Sequence, residues 1–214
     1  MDRLADVLTV VALGFVALRL VEGVRHARSR RGRELLLSIV RGIRWRHFWP
    51  VPLVLTAVVT AASVLLLVPG LDWGWWSALG GTGNPVMGDT ERTSGTALEW
   101  LVPLVFITLL ALALPLFAHA EERMFRTGAE LWSPRRRALK VVQFGLIHTL
   151  IGIPIGVALA LSIGGAYFMA VYLQCFRATG SQTEATLESA RAHTVYNATI
   201  VSFVLAIVVV DVIW

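Results

Sequence analysis

The sequence predicts an all-α fold: a polytopic transmembrane helical bundle of about six spans, with a polar cavity in its cytoplasmic half. Three observations carry this. Of the 214 residues 56% are apolar and only 15% are charged, with a mean hydropathy of +0.69, whereas a soluble domain of this length carries roughly a quarter charged residues. The apolar residues gather in charge-free runs, and a bilayer crossing needs about 20 of them in succession. The 18 arginines, against one lysine, collect between those runs. A disordered segment is excluded by the same composition, and a disulfide scaffold or thiolate cluster by the single cysteine. The net charge of +5 does not point to nucleic acid, because the arginines form no basic stripe on a soluble face.

Taken in chain order, residues 1–49 hold a first span and a basic segment, 50–99 a second span and a loop, and 100–214 four further spans. The first span, Leu4 to Gly23, is interrupted by Asp6, Arg19 and Glu22, which face the bundle or snorkel. It lacks the basic leader and small-residue cleavage site of a signal peptide. From Arg33 to Trp49, Leu35, Leu36, Ile39, Val40 and Ile43 alternate with arginines, as in an interfacial amphipathic helix or a connector carrying orientation charge. Phe48 to Leu71 and Trp100 to Ala120 are free of charge. So is Val141 to Phe176, which is too long for one span and is broken by Gly152, Pro154 and Gly156 into two helices. Ala192 to Val210 supplies the last span.

Arginines cluster from Arg25 to Arg46 and again at Arg135 to Arg137, which assigns both connections, and the one from Arg177 to Arg191, to the cytoplasm. The Pro69 to Ala97 connection, with Trp73, Trp75 and Trp76, then faces outward. The arginine bias, as a GC-rich genome gives, suggests a bacterial protein of the cytoplasmic membrane.

Ionisable groups at membrane depth are costly and are functional candidates by default. The third span ends in Glu121, Glu122 and Arg126, the fourth holds Phe144 and His148, and the last opens on His193 and Asn197. Residues four apart share a helix face, so these helices can aim Glu121, His148, His193 and Asn197 at one interior. A carboxylate in a dry cavity works as a general base near neutral pH, and fixed donors stabilise developing negative charge.

Glu-Glu-x-x-x-Arg, Phe-x-x-x-His and His-x-x-x-Asn, in this order on successive membrane helices, resemble the CPBP family, also called the CAAX protease and bacteriocin-processing or abortive-infection family. The resemblance covers Trp100 to Trp214, and the run Arg177 to Ser181 is similar to the family's lead-in to the third motif. It implies a glutamic intramembrane endopeptidase without a cofactor, acting on a membrane protein or peptide. Glu121 would activate water with His148, His193 and Asn197 would hold the oxyanion, and Glu122 with Arg126 would support them, Phe144 serving as packing.

Other chemistries leave other traces. The sequence holds no His-Glu-x-x-His, Gly-x-Gly-Asp or Gly-x-Ser-x-Gly. Zinc on Glu121, His148 and His193 is the less favoured enzyme alternative. A transport or binding protein would fit inverted repeats, and none is visible; an inactive immunity protein of the same fold would not need all the motif residues. His119, three residues before Glu122, is placed to face the same cavity, although the family pattern does not require it; Cys175 reads as a core residue, and Glu99 and Asp211 as interface carboxylates. Depth is inconsistent for straight helices: His148 stands about 16 Å in from Arg137, but Glu121 is about 33 Å from Glu99. Tilt, a kink, or a fourth span shortened by a turn at Gly152 to Gly156 would reconcile them.

Overall fold

A computed structural model describes residues 2–77 and 97–213. Within them the chain is helical, with seven α-helices and short 3-10 turns and no strand. Helix α1 is Asp2–Arg28, α2 Arg30–Arg41, α3 Val51–Leu65, α4 Ala97–Phe125, α5 Pro134–Leu146, α6 Ile155–Thr179 and α7 Gln182–Ile213. Two helical runs, Trp45–Leu65 and Ile155–Thr179, are long and apolar enough to cross a bilayer. The side chains of Asp6, Glu99 and Asp211, and the loop residues Asp89, Glu91 and Arg92, lie outside the described set.

The amphipathic stretch divides where its capping residues dictate. Ser29 caps α2 by accepting from the Gly32 N–H at 3.0 Å, and α2 buries Ile39 while its arginines stay in the open. A 3-10 turn, Trp45–His47, then leads through Pro50 into α3. The helix is thus Arg30–Arg41 and not the whole of Arg33 to Trp49.

The fourth element is a short helix followed by a 3-10 turn, one of the three arrangements that reconcile the depths. Its helix starts at Pro134, with Ser133 accepting from Arg136 N–H, so its first two turns carry Arg135, Arg136, Arg137 and Lys140. After Leu146 it tightens to a 3-10 turn, Ile147–Ile151, and Gly152 reverses the chain at φ +86°, a conformation only glycine adopts without strain. With 13 residues α5 is about 20 Å long and α3, with 15, about 22 Å. By contrast α4 and α7, at 29 and 32 residues, reach about 43 and 48 Å. The last helix opens at Gln182 and not at Ala192, with Ser181 Oγ accepting from Glu184 N–H.

The segment 66–77 folds across the open end of the 3-10 turn. Leu71 C=O accepts from Gly156 N–H at 2.7 Å, Trp73 C=O from Ile155 N–H at 3.0 Å, and Trp75 Nε1 donates to Thr149 C=O at 3.1 Å. These bonds satisfy groups that the break in the helix leaves without intrahelical partners. Helices α4, α5, α6 and α7 pack closely around a shared core of Phe125, Phe144, Phe168, Val195 and Tyr196. Small residues allow the approach: a Cβ at Gly165 would lie 2.8 Å from the Phe144 ring.

Candidate active site

Residues of four helices meet around one buried ion pair, Glu122 with Arg126. Glu122, on the last turn of α4, is fully buried, as is Arg126 one turn on. Glu122 Oε1 accepts from His193 Nδ1 of α7 at 2.8 Å and lies 3.2 Å from Arg126 Nη1. Its Oε2 accepts from Ser189 Oγ, one turn before His193. Arg126 Nη2 donates to Gly165 C=O of α6 at 3.2 Å, and its guanidinium lies 4.1 Å above the Phe144 ring and 5.6 Å from that of Phe168. A buried ion pair needs such extra partners, because desolvation of both charges opposes their attraction.

Glu121 is placed differently. Its side chain is 34% exposed, yet its Oε2 is buried without a hydrogen-bond partner among the described residues. That oxygen lies 3.7 Å from His193 Nε2, beyond hydrogen-bond range. The two ring nitrogens of His193 thus meet two different carboxylates. With Glu122 accepting, Nδ1 carries the proton and Nε2 is left to face Glu121. The ring is stacked on Phe168 at 4.2 Å and 21° and meets Phe144 edge-on at 5.6 Å, so it cannot turn freely.

His148 sits in the 3-10 turn and is half-buried. Its Nδ1 lies 2.9 Å from Phe144 C=O and 3.2 Å from Gly145 C=O. Both neighbours are acceptors, so Nδ1 donates, and Nε2 has no protein partner among the described residues. Phe144, edge-on to His148 at 5.3 Å, joins the two histidines through one ring. Asn197 follows His193 by one turn on α7, half-buried, with no side-chain hydrogen bond among the described residues.

The predicted residues thus fall into two groups. Glu122, Arg126, Phe144 and His193 form one contiguous cluster with Glu121 at its edge, while His148 reaches it through Phe144 and Asn197 stands one turn away. No three His, Cys, Asp or Glu side chains converge as metal ligands among the described residues. A groove of about 340 Å³ lies between the 43–48 connector and α7, and touches none of the predicted site residues.

No family model, no curated protein and no solved structure matches this chain. Ser189 and Phe168 were not predicted from the sequence. A serine four residues before His193, on the same helix face, is the signal that could have found the first; Phe168 carries no chemical rarity that marks it.

A second polar cluster lies nearer the basic end. Glu188 Oε1 accepts from His47 Nε2 at 2.8 Å and pairs with Arg46 at 2.8 Å, while its Oε2 pairs with Arg191 at 3.0 Å. Burial opposes the charge, but these partners prevail and hold the carboxyl down at about 2. His47 Nδ1 accepts from Arg44 N–H at 2.9 Å, so Nε2 is its donor nitrogen.

Proposed function

We propose that the chain is a multi-pass intramembrane endopeptidase of glutamic type, like the CPBP family its motifs resemble. It hydrolyses a peptide bond of a membrane-associated protein or peptide and uses no metal or other cofactor. The observation that carries this reading is the unpartnered, buried Glu121 oxygen beside His193 Nε2, with His193 held from behind by Glu122. Structural carboxylates in apolar surroundings are satisfied, as Glu122 is. Glu121, partly exposed and with one oxygen free beside a fixed imidazole, has the placement a general base needs.

In this mechanism Glu121 removes a proton from water, and His148 Nε2 orients that water by accepting its second hydrogen. The new C–O bond sends the carbonyl electron pair to oxygen, where the Asn197 amide donates to it and His193 stands beside it as the second oxyanion ligand. Glu121 then returns the proton to the amine nitrogen as the C–N bond breaks. Glu122 fixes the His193 ring through Nδ1, and Ser189 and Arg126 hold Glu122 in place.

The same reading places six crossings, α1, α3, α4, α5 with its 3-10 turn, α6 and α7, with the arginine-rich end in the cytoplasm. Large apolar side chains that stand exposed on several helices, among them Leu18, Leu53, Leu112 and Phe203, suit lipid contact. The cytoplasmic side supplies the water.

The test is to map protein N-termini in membranes of cells carrying the wild-type chain or Glu121→Gln. General-base loss removes about 10²–10⁴ in rate, so an uncut precursor accumulates in the variant although the protein still inserts and melts normally. Cleavage at the wild-type level by Glu121→Gln refutes the mechanism.

A further inference from the structure

The groove between the 43–48 connector and α7 lies on the far side of α7 from the candidate active site. At 100° per residue, Ala198 and Ser202 stand about 140–180° round the helix from His193. The groove runs from Ile43 and Phe48 along Thr194, Ala198, Thr199 and Phe203. Two of its three lining hydroxyls, all but that of Ser202, are turned to backbone carbonyls. Thr194 Oγ1 donates to Ala190 C=O at 2.7 Å and Thr199 Oγ1 to Val195 C=O at 2.9 Å, so both present methyl groups to the groove. From Thr194 to Phe203 it extends about 14 Å along α7.

One end of this apolar track is strongly basic. Arg41 and Arg44, within two residues of Ile43, are exposed and make no ion pair among the described residues, and Arg46 is itself largely exposed while pairing with Glu188. Trp45, 78% exposed, and Trp49, 63% exposed, flank the same end. Exposed tryptophans mark headgroup level and arginines there attract anionic lipid. A charged end, an aromatic collar and an apolar track in line have the order of a phospholipid.

The geometry points to a binding site for an anionic glycerophospholipid, one acyl chain lying along Thr194 to Phe203 and its phosphate held by Arg41 and Arg44. The inference rests on the membrane-embedded reading and not on the peptidase chemistry.

Native mass spectrometry of the full chain, released from nanodiscs of mixed palmitoyl-oleoyl phosphatidylglycerol and phosphatidylcholine, tests it. The expected result is one retained phosphatidylglycerol in preference to phosphatidylcholine, undiminished by millimolar inorganic phosphate. Each arginine near the surface is worth about fivefold, so Arg41→Gln with Arg44→Gln weakens retention roughly 25-fold. Ala198→Phe fills the track and abolishes retention with both arginines present. Equal retention of the two lipids, full displacement by phosphate, or undiminished retention by Ala198→Phe overturns the proposal. Failure of the membrane reading has its own signature, release of the chain from membranes by alkaline carbonate, and failure of the peptidase reading leaves lipid retention unchanged.

Discussion

Replacing Glu122 by glutamine removes one charge from a cluster in which both Glu122 and Arg126 are fully buried. The volume is conserved, and Ser189 and His193 still meet an amide oxygen or nitrogen. What changes is Arg126, fully buried and 3.2 Å from Glu122, which is left as a cation with the Gly165 carbonyl, aromatic faces and the more distant Glu121 charge as its remaining partners among the described residues. Breaking a buried pair by removing one partner costs about 3–5 kcal/mol. The hydrogen bond from Ser189 to a charged acceptor contributes about 1.5–3 kcal/mol of the native interaction, and part of it is lost as well. We expect Glu122→Gln to destabilise by about 3–5 kcal/mol, and Glu122→Gln with Arg126→Met to recover most of that. Denaturant titration of the purified protein in detergent, followed by circular dichroism, measures both, and the double-mutant cycle isolates the coupling. If Glu122→Gln unfolds within about 0.5 kcal/mol of wild type, a threshold typical of neutral surface changes, the cluster is not the structural anchor described. The same result would leave His193 without the support its role requires.

Two further predictions follow from other contacts. Glu188 has its carboxyl lowered from 4.5 to about 2 in the folded state. A depressed carboxyl stabilises above its unfolded value and loses that contribution as pH falls toward the folded one, so stability should decline between about pH 4.5 and about pH 2. Glu188→Gln should flatten that part of a melting-temperature profile in detergent; an unchanged slope contradicts the assignment. Gly145 on α5 faces α6 so closely that a Cβ would overlap Ala158 C=O and lie 2.9 Å from Ser162 N. Both are backbone atoms, so Gly145→Ala must push α5 outward and should cost about 1–3 kcal/mol, read as a lowered melting temperature; an unaltered one would refute the close packing.

Helix existence was legible because lipid-length apolar runs and arginine clusters are coarse signals. Boundaries were not, for identifiable reasons. The charge-free run from Val141 correctly located the break at Gly152, but it could not register that α5 draws its first two turns from the arginine-bearing side at Pro134. The last span looked like Ala192 to Val210 because Glu184, Glu188 and Arg191 interrupt the hydropathy. In the folded chain Glu188 and Arg191 pair with each other, and Glu188 also with His47 and Arg46, a long-range partnership no local window contains. Within the site, residues of rare chemistry at spacing four were readable: Glu122 with Arg126, and His193. Their true partners across helices, Ser189 and Phe168, are common residue types whose importance comes only from where packing puts them.

The strap of residues 66–77 bears on what counts as one folding unit. Motif residues occupy only the second half of the chain, which invites cutting it near residue 97 to obtain a minimal fragment. Such a fragment would strip Leu71 and Trp73 carbonyls from the N–H groups of Gly156 and Ile155, and the Trp75 indole from Thr149. Each buried backbone group left without a partner costs about 1–3 kcal/mol, at the turn that carries His148. The amino-terminal half is therefore a covalently supplied template for the motif-bearing half, and a fragment starting at residue 97 would need residues 51–77 added back as a separate peptide to close that turn.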